Sequence, residues 1–195
     1  MIIKRILSYL VSCFILLIPI FLWNIIFASK LPEPYQMNNF WSNIPKFIGI
    51  SENILRVIVF FLPLLFKLEI NETQQKIGFL IYIIGICVYF MSWLMQIYFP
   101  ESSWSQSVFG FMAPAYTTII WLVGIGLIGK SLFVKIPYHY SVYIVFSVLF
   151  VVFHSITLLL CIQGSKSIEA ERTLTQREFS ICSFTEALQT RRPRP

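Results

Sequence analysis

The ionisable side chain that lies deepest within an apolar stretch of this sequence is His154. It falls in the run Ile136–Ser165, which contains no Lys, Arg or Glu. An imidazole in such a setting can exchange a proton or bind a ligand, or it can act only as a neutral hydrogen-bonding link between helices. Counted from Tyr138 at about 1.5 Å per residue, His154 is expected about 24 Å along its helix, in the outer third of a membrane about 30 Å thick.

A pair of opposite charges has the spacing of one helical face. Glu52 and Arg56 are four residues apart, so on a helix their side chains are neighbours and can form an ion pair. With Arg56 one turn into its helix from the outer side, the same counting places Arg56, Tyr116 and His154 at one depth, with Tyr116 about 10 Å into its helix. Depth does not determine the direction around a helix axis, so counting alone does not predict that the three side chains face one another.

The segment before Tyr116 adds polar groups near this depth. Together the sequence predicts an outward-facing polar pocket with seven candidate residues: Glu52, Arg56, Glu101, Trp104, Ser105, Tyr116 and His154. The alternative is a solvated loop beside an arginine whose side chain reaches up to the membrane surface. Pro114 in the same segment frees a backbone carbonyl one turn earlier, which can accept a hydrogen bond from a ligand or simply kink the helix.

The residue types exclude several kinds of chemistry. All nine acidic residues are Glu and none is Asp, which excludes a catalytic Asp and the Asp-based metal sites. The two histidines and four scattered cysteines show no metal-ligand spacing, whereas a closed zinc site needs four ligands. The sequence contains no GxSxG nucleophile motif. We therefore predict no catalytic residue, no metal site and no cofactor.

The overall composition is that of a membrane protein. Of the 195 residues, 57% are hydrophobic and 12% are charged, and the mean hydropathy is +0.75. Soluble domains contain about 25% charged residues, so a water-soluble monomer and a disordered chain are excluded. The net charge of +6 comes from Lys and Arg that flank apolar runs or lie in the C-terminal segment. This distribution indicates membrane orientation and not a nucleic-acid surface.

Four apolar runs are long enough for membrane-spanning helices, which need about 20 residues. The uncharged runs are Ile6–Ser29, Ile77–Pro100, Ser102–Gly129 and Ile136–Ser165. Aromatic residues lie near their ends, as is typical of residues at the membrane interface. No internal repeat relates the runs. Because backbone groups in lipid must pair within the chain, the runs predict an all-α helical bundle.

A fifth helix is predicted over Ser51–Ile70. Its uncharged core is short, because Arg56 and Lys67 bracket it, and Pro63 lies inside. The basic side chains can extend toward opposite interfaces, and proline is tolerated in membrane helices. The alternative is four spanning helices plus one interfacial or re-entrant helix.

The distribution of Lys and Arg predicts a cytoplasmic N-terminus in a plasma (inner) membrane. With five spans, six basic residues lie on the cytoplasmic side of the membrane and three on the outer side, before the C-terminal segment is counted. The inner set is Lys4, Arg5, Lys67, Lys76, Lys130 and Lys135, and the outer set is Lys30, Lys46 and Arg56. The Lys130–Lys135 loop is thus expected in the cytoplasm and the Glu101 loop outside.

The C-terminal segment differs from the rest of the chain. It is rich in Ser, Thr, Glu and Arg and ends Arg-Arg-Pro-Arg-Pro. We predict one polytopic membrane domain over residues 1–163 and a disordered tail over 164–195. With five spans the tail lies outside, where its basic residues oppose the positive-inside rule. One hypothesis is that the tail is a foreign extension.

Three function classes remain. The sequence favours a non-catalytic protein that binds a membrane partner, as an accessory subunit or a self-protection protein, because the chain is small and has no catalytic motif. The second class is a small carrier or channel subunit that uses His154 and Arg56. The third is an enzyme acting on a lipid at the outer leaflet, with Glu52, Glu101 and His154 as acid–base candidates. The bilayer itself is an expected partner, and the oligomeric state is not predicted.

Overall fold

The computed structural model describes residues 12–31, 44–134 and 137–164. These residues form a helical bundle that contains five helices long and apolar enough to cross a membrane, and they form no strands. The helices are α1 (Cys13–Lys30), α2 (Lys46–Leu65), α3 (Thr73–Tyr98), α4 (Val108–Ile128) and α5 (Tyr140–Gly164). The predicted all-α helical bundle is confirmed, and its apolar helices indicate an integral membrane protein. The tail beyond Gly164 lies outside the described residues.

The bounds of α2 differ from the predicted range Ser51–Ile70. The helix begins five residues earlier, directly after Pro45, and its last turn, Leu62–Leu65, is a 3-10 helix that contains Pro63. Proline lacks a backbone N–H and is disfavoured inside an α-helix, so it suits both ends of this element. With 20 residues, α2 is long enough to cross a membrane.

The helix α4 is the most buried of the five. In the most apolar 18-residue stretch of α4, 61% of the residues are buried, against 22% in the corresponding stretches of α1 and α2. It packs closely on α3 through glycines: a Cβ added at Gly124 would lie 2.6 Å from the backbone nitrogen of Tyr82, and one at Gly85 would lie 2.8 Å from Cα of Trp121. Only glycine fits such backbone contacts, so these residues allow the two helices to pack closely.

One end of the bundle is held by backbone pairing between three chain segments. The amide of Cys13, at the start of α1, donates to the carbonyl of Phe66 at 3.1 Å, just after α2. The amide of Lys67 in turn donates to the carbonyl of Ser131 at 2.9 Å, just after α4. Helix ends that would otherwise leave polar groups unpaired are thereby joined.

An aromatic cluster fills the interior behind this pairing. Phe66 is fully buried, and its ring centroid lies 5.2 Å from those of Tyr138 and Tyr143. The Tyr143 hydroxyl donates to the carbonyl of Val59 at 3.2 Å and so ties α5 to α2. Tyr138 lies just before α5, and burial raises the pKa of its phenol well above the usual range. This end of the bundle is closed.

Candidate functional site

A fully buried carboxylate joins two helices in the middle of the bundle. The Glu52 side chain on α2 is 0% exposed. Its Oε1 atom accepts hydrogen bonds from the Arg56 guanidinium on the same helix and from Nδ1 of His154 on α5, the latter at 2.9 Å. Because a carboxylate only accepts, the imidazole must donate from Nδ1. The predicted Glu52–Arg56 ion pair is confirmed.

Arg56 and His154 lie nearer the middle of their helices than the sequence predicts. Arg56 is ten residues, or about 15 Å, from Lys46 at the start of α2. The expectation that Arg56 lies one turn from the helix end is therefore wrong, because α2 begins at Lys46 and not at Ser51. His154 lies ten residues from the Gly164 end of the 25-residue α5. Arg56 and His154 are therefore central along their helices, and Glu52 lies six residues from the start of α2.

Neighbouring side chains on α5 support the cluster. The Phe150 ring stacks on the His154 imidazole with centroids 5.5 Å apart and planes inclined by 6°. Thr157 is fully buried, and its hydroxyl lies beside the Glu52 carboxylate without hydrogen-bond geometry. The imidazole is thus held between a ring on one side and a carboxylate on Nδ1, and this packing restricts its orientation.

Arg56 and His154 also line a cavity of about 330 Å³. All five long helices contribute to its wall, and it lies in the middle of the bundle, with Leu31 on the side away from the closed end. Glu52 is not on the wall. The other lining residues are mostly aromatic or aliphatic: Ile20, Asn24, Leu31, Phe60, Tyr89, Trp93, Pro114, Thr118, Trp121, Phe150 and Leu158.

The opposite wall of the cavity holds a second polar contact. The Tyr89 hydroxyl on α3 donates to Oδ1 of Asn24 on α1 at 2.7 Å. This bond orients the amide so that its NH₂ group remains as a donor. The Tyr89 ring also meets the rings of Trp93 and Trp121 edge to face, with centroids 6.0 and 6.3 Å apart.

The structure does not bring all seven predicted residues together. Tyr116 and Trp104 line a different space, an apolar groove of about 550 Å³ between α3 and α4. The Ser105 hydroxyl donates to the carbonyl of Met95 at 3.2 Å, and exposed Glu101 accepts from Gln106. Tyr116 lies on the other side of α4 from the cavity-lining residues of that helix, as its two-residue separation from Pro114 requires.

Sequence reasoning missed the aromatic and amide part of the cavity wall. Asn24 is the one amide side chain in α1, and a polar amide within an apolar helix is a signal that could have identified it. Tyr89, Trp93 and Trp121 resemble the many other aromatic residues of the chain, so no sequence signal separates them.

The arrangement combines a permanent cation, a carboxylate and an imidazole beside an apolar cavity. Such groups can bind a polar ligand and hold a proton at Glu52 or at the imidazole. Within the described residues, no group of three or more His, Cys, Asp or Glu side chains could hold a metal ion. Comparisons of the chain with protein-family models, curated proteins and solved structures give no match.

Proposed function

We propose that the protein binds a small ligand between its helices, as a carrier or as a ligand-binding subunit of the plasma membrane. The observation that supports this most strongly is that Arg56 and His154 lie on the wall of a cavity of about 330 Å³. Pockets that bind small molecules have volumes of about 300–1,000 Å³ and are mostly apolar with a few polar groups. This cavity has both properties.

The cost of buried charge supports a functional role for the cluster. Ionisable groups within membrane helices are costly and usually mark ligand or ion pathways. A buried ion pair often contributes less to stability than apolar side chains of the same size. The cluster of Glu52, Arg56 and His154 is therefore better explained by ligand binding than by stability alone.

We further propose that the N-terminus is cytoplasmic. Lys67, Lys76 and Lys130 lie at or near the closed end of the bundle, and basic residues favour the cytoplasmic side. In that orientation the side of the cavity near Leu31 is the side toward the outside. The closed end then faces the cytoplasm.

The sequence favoured a different function, binding of a membrane protein partner, and that function stays a prediction. One experiment separates the two. Wild-type protein in lipid nanodiscs is incubated with a total extract of cellular lipids and metabolites, washed, and analysed by native mass spectrometry. A parallel detergent pull-down identifies proteins that co-purify.

The variant His154→Ala tests the cavity, and His139→Ala is its matched control because His139 is exposed and lies before α5. We expect a small molecule bound at about one per chain in the wild type and in the control, and lost in His154→Ala. Retention of no small molecule by the wild type would contradict the proposal. A stoichiometric protein partner that both variants keep would support the partner-binding function instead.

A further inference from the structure

The charged side chain on the cavity wall is Arg56, and the Glu52 carboxylate that pairs with it lies off the wall. The side chains of Arg56 and His154 keep 36% and 25% of their surface exposed, whereas Glu52 is 0% exposed behind them. None of the residues on the cavity wall is acidic. Glu52 thus accepts hydrogen bonds from Arg56 and His154 on the side that faces away from the cavity.

Within the described residues, several N–H groups on the cavity wall are left over after the hydrogen bonds that the wall residues make. Within the described residues, the five N–H groups of Arg56 serve only Glu52 and Asn53. Asn24 uses its oxygen for Tyr89, which leaves its NH₂ group. His154 uses Nδ1 for Glu52, so Nε2 is left, and Nε2 becomes a donor when the ring is protonated.

Most of the rest of the wall is aromatic or aliphatic. Trp93, Trp121, Phe60 and Leu158 bound the space beside these donors. Aromatic walls can also bind cations, but the guanidinium of Arg56 on the same wall would repel a cationic ligand. The combination matches a ligand with one acceptor-rich, negative end and one compact apolar body.

We propose that the cavity binds a small amphiphilic organic anion, with its carboxylate or phosphate on Arg56 and His154 and its apolar body against the two tryptophans. This inference rests on the proposed ligand-binding function and specifies the ligand class. A guanidinium binds both oxygens of such a headgroup through parallel hydrogen bonds. The weakly polar surroundings strengthen this contact relative to water. The ligand comes either from the lipid phase or from the aqueous phase.

Binding to the protein in nanodiscs is measured by quenching of tryptophan fluorescence with defined probes. Decanoate represents a lipid-phase anion and phenyl phosphate a water-soluble one. Decanol and decylamine are neutral and cationic controls, and empty nanodiscs correct for partitioning into lipid. A hydrogen bond to a charged group predicts that an anion binds about ten- to a hundredfold more tightly than decanol.

Variants assign the preference to the cavity. Arg56→Gln should lose the anion preference, while Arg56→Lys, which keeps the charge, should retain most of it. Lys30→Gln is the control, because it removes an exposed positive charge at the end of α1. A circular dichroism spectrum and an elution profile like those of the wild type show that each variant is folded.

Preference for decanoate identifies a lipid-phase ligand, and preference for phenyl phosphate identifies a soluble one. Either preference, lost in Arg56→Gln and kept in Lys30→Gln, supports the inference. Equal binding of decanoate, decanol and decylamine, or a preference for decylamine, would overturn the anionic class but leave the proposed ligand-binding function intact. If no probe binds and the wild type retains no small molecule from the extract, the proposed function itself fails.

Discussion

Removing the charge of Glu52 should destabilise the bundle strongly. The substitution Glu52→Gln keeps the side-chain shape and leaves Arg56 and His154 without their shared counter-charge. Loss of one partner from a fully buried ion pair costs about 3–5 kcal/mol. Because Arg56 and His154 remain 36% and 25% exposed, we expect the lower end of that range, about 3 kcal/mol in the free energy of unfolding.

An exposed ion pair elsewhere in the same chain supplies the matched control. Nζ of Lys130 lies 2.5 Å from Oε2 of Glu72, and these side chains are 47% and 55% exposed. Exposed pairs contribute about 0–1 kcal/mol, and a glutamine oxygen can still accept the backbone hydrogen bond with which Glu72 caps α3, so Glu72→Gln should change the free energy of unfolding by no more than that. The comparison separates the effect of removing a buried charge from the effect of removing an exposed one.

The measurement is equilibrium unfolding in mixed detergent micelles, followed by circular dichroism. A double variant, Glu52→Gln with Arg56→Gln, removes both charges, and the two effects should be non-additive by about 0.5–3 kcal/mol because the groups are in contact. The free energy of unfolding of Glu52→Gln could instead lie within about 0.5 kcal/mol of the wild-type value, as expected of a surface substitution. That result, or additive effects of the two substitutions, would show that the reasoning about the buried cluster is wrong.

Three further predictions concern packing, hydrogen bonding and orientation. Gly124→Ala should destabilise the protein by about 1–3 kcal/mol, as overpacking does, because the added methyl would lie 2.6 Å from the backbone of Tyr82. Gly126→Ala should cost less, because its added methyl would meet only side-chain atoms of α5, at 3.0 Å or more. The same unfolding assay tests this, and equal effects would contradict it. Tyr143→Phe leaves the buried carbonyl of Val59 without the hydroxyl donor 3.2 Å away and should cost about 1 kcal/mol; an unchanged unfolding midpoint would contradict the tie between α5 and α2. A cysteine at exposed Ser103 should react with a membrane-impermeant maleimide in sealed cells, whereas one at exposed Val134 should react only after permeabilisation; the reverse pattern would contradict the proposed orientation.

Length and hydropathy were sufficient to predict the five-helix bundle. The charge-free runs locate four helices and the bracketed run around Pro63 locates α2. The predicted range already contained Glu52 but began five residues late, because the helix starts at a charged residue, Lys46, outside the apolar pattern. The structure shows that Glu52 is fully buried, so its charge belongs inside the bundle and does not mark a helix end.

The candidate site was predictable only in part, because residue counting gives depth and not direction. The i, i+4 spacing of Glu52 and Arg56 predicted their contact from local geometry. The contact of Glu52 with His154 joins residues 102 positions apart, and no local pattern encodes it. Tyr116 was placed near the same depth but lines a different groove, since its direction around α4 depends on how that helix packs.

The most direct test of this account is the distance between the Glu52 carboxyl and the His154 ring in a lipid bilayer. Solid-state NMR with a ¹³C-labelled glutamate carboxyl and ¹⁵N-labelled histidine measures it, and Glu52→Gln identifies the Glu52 signal. The account predicts a short carbon–nitrogen distance consistent with the 2.9 Å hydrogen bond from Nδ1 to Oε1. A separation beyond hydrogen-bond reach would contradict the buried cluster and the cavity built on it.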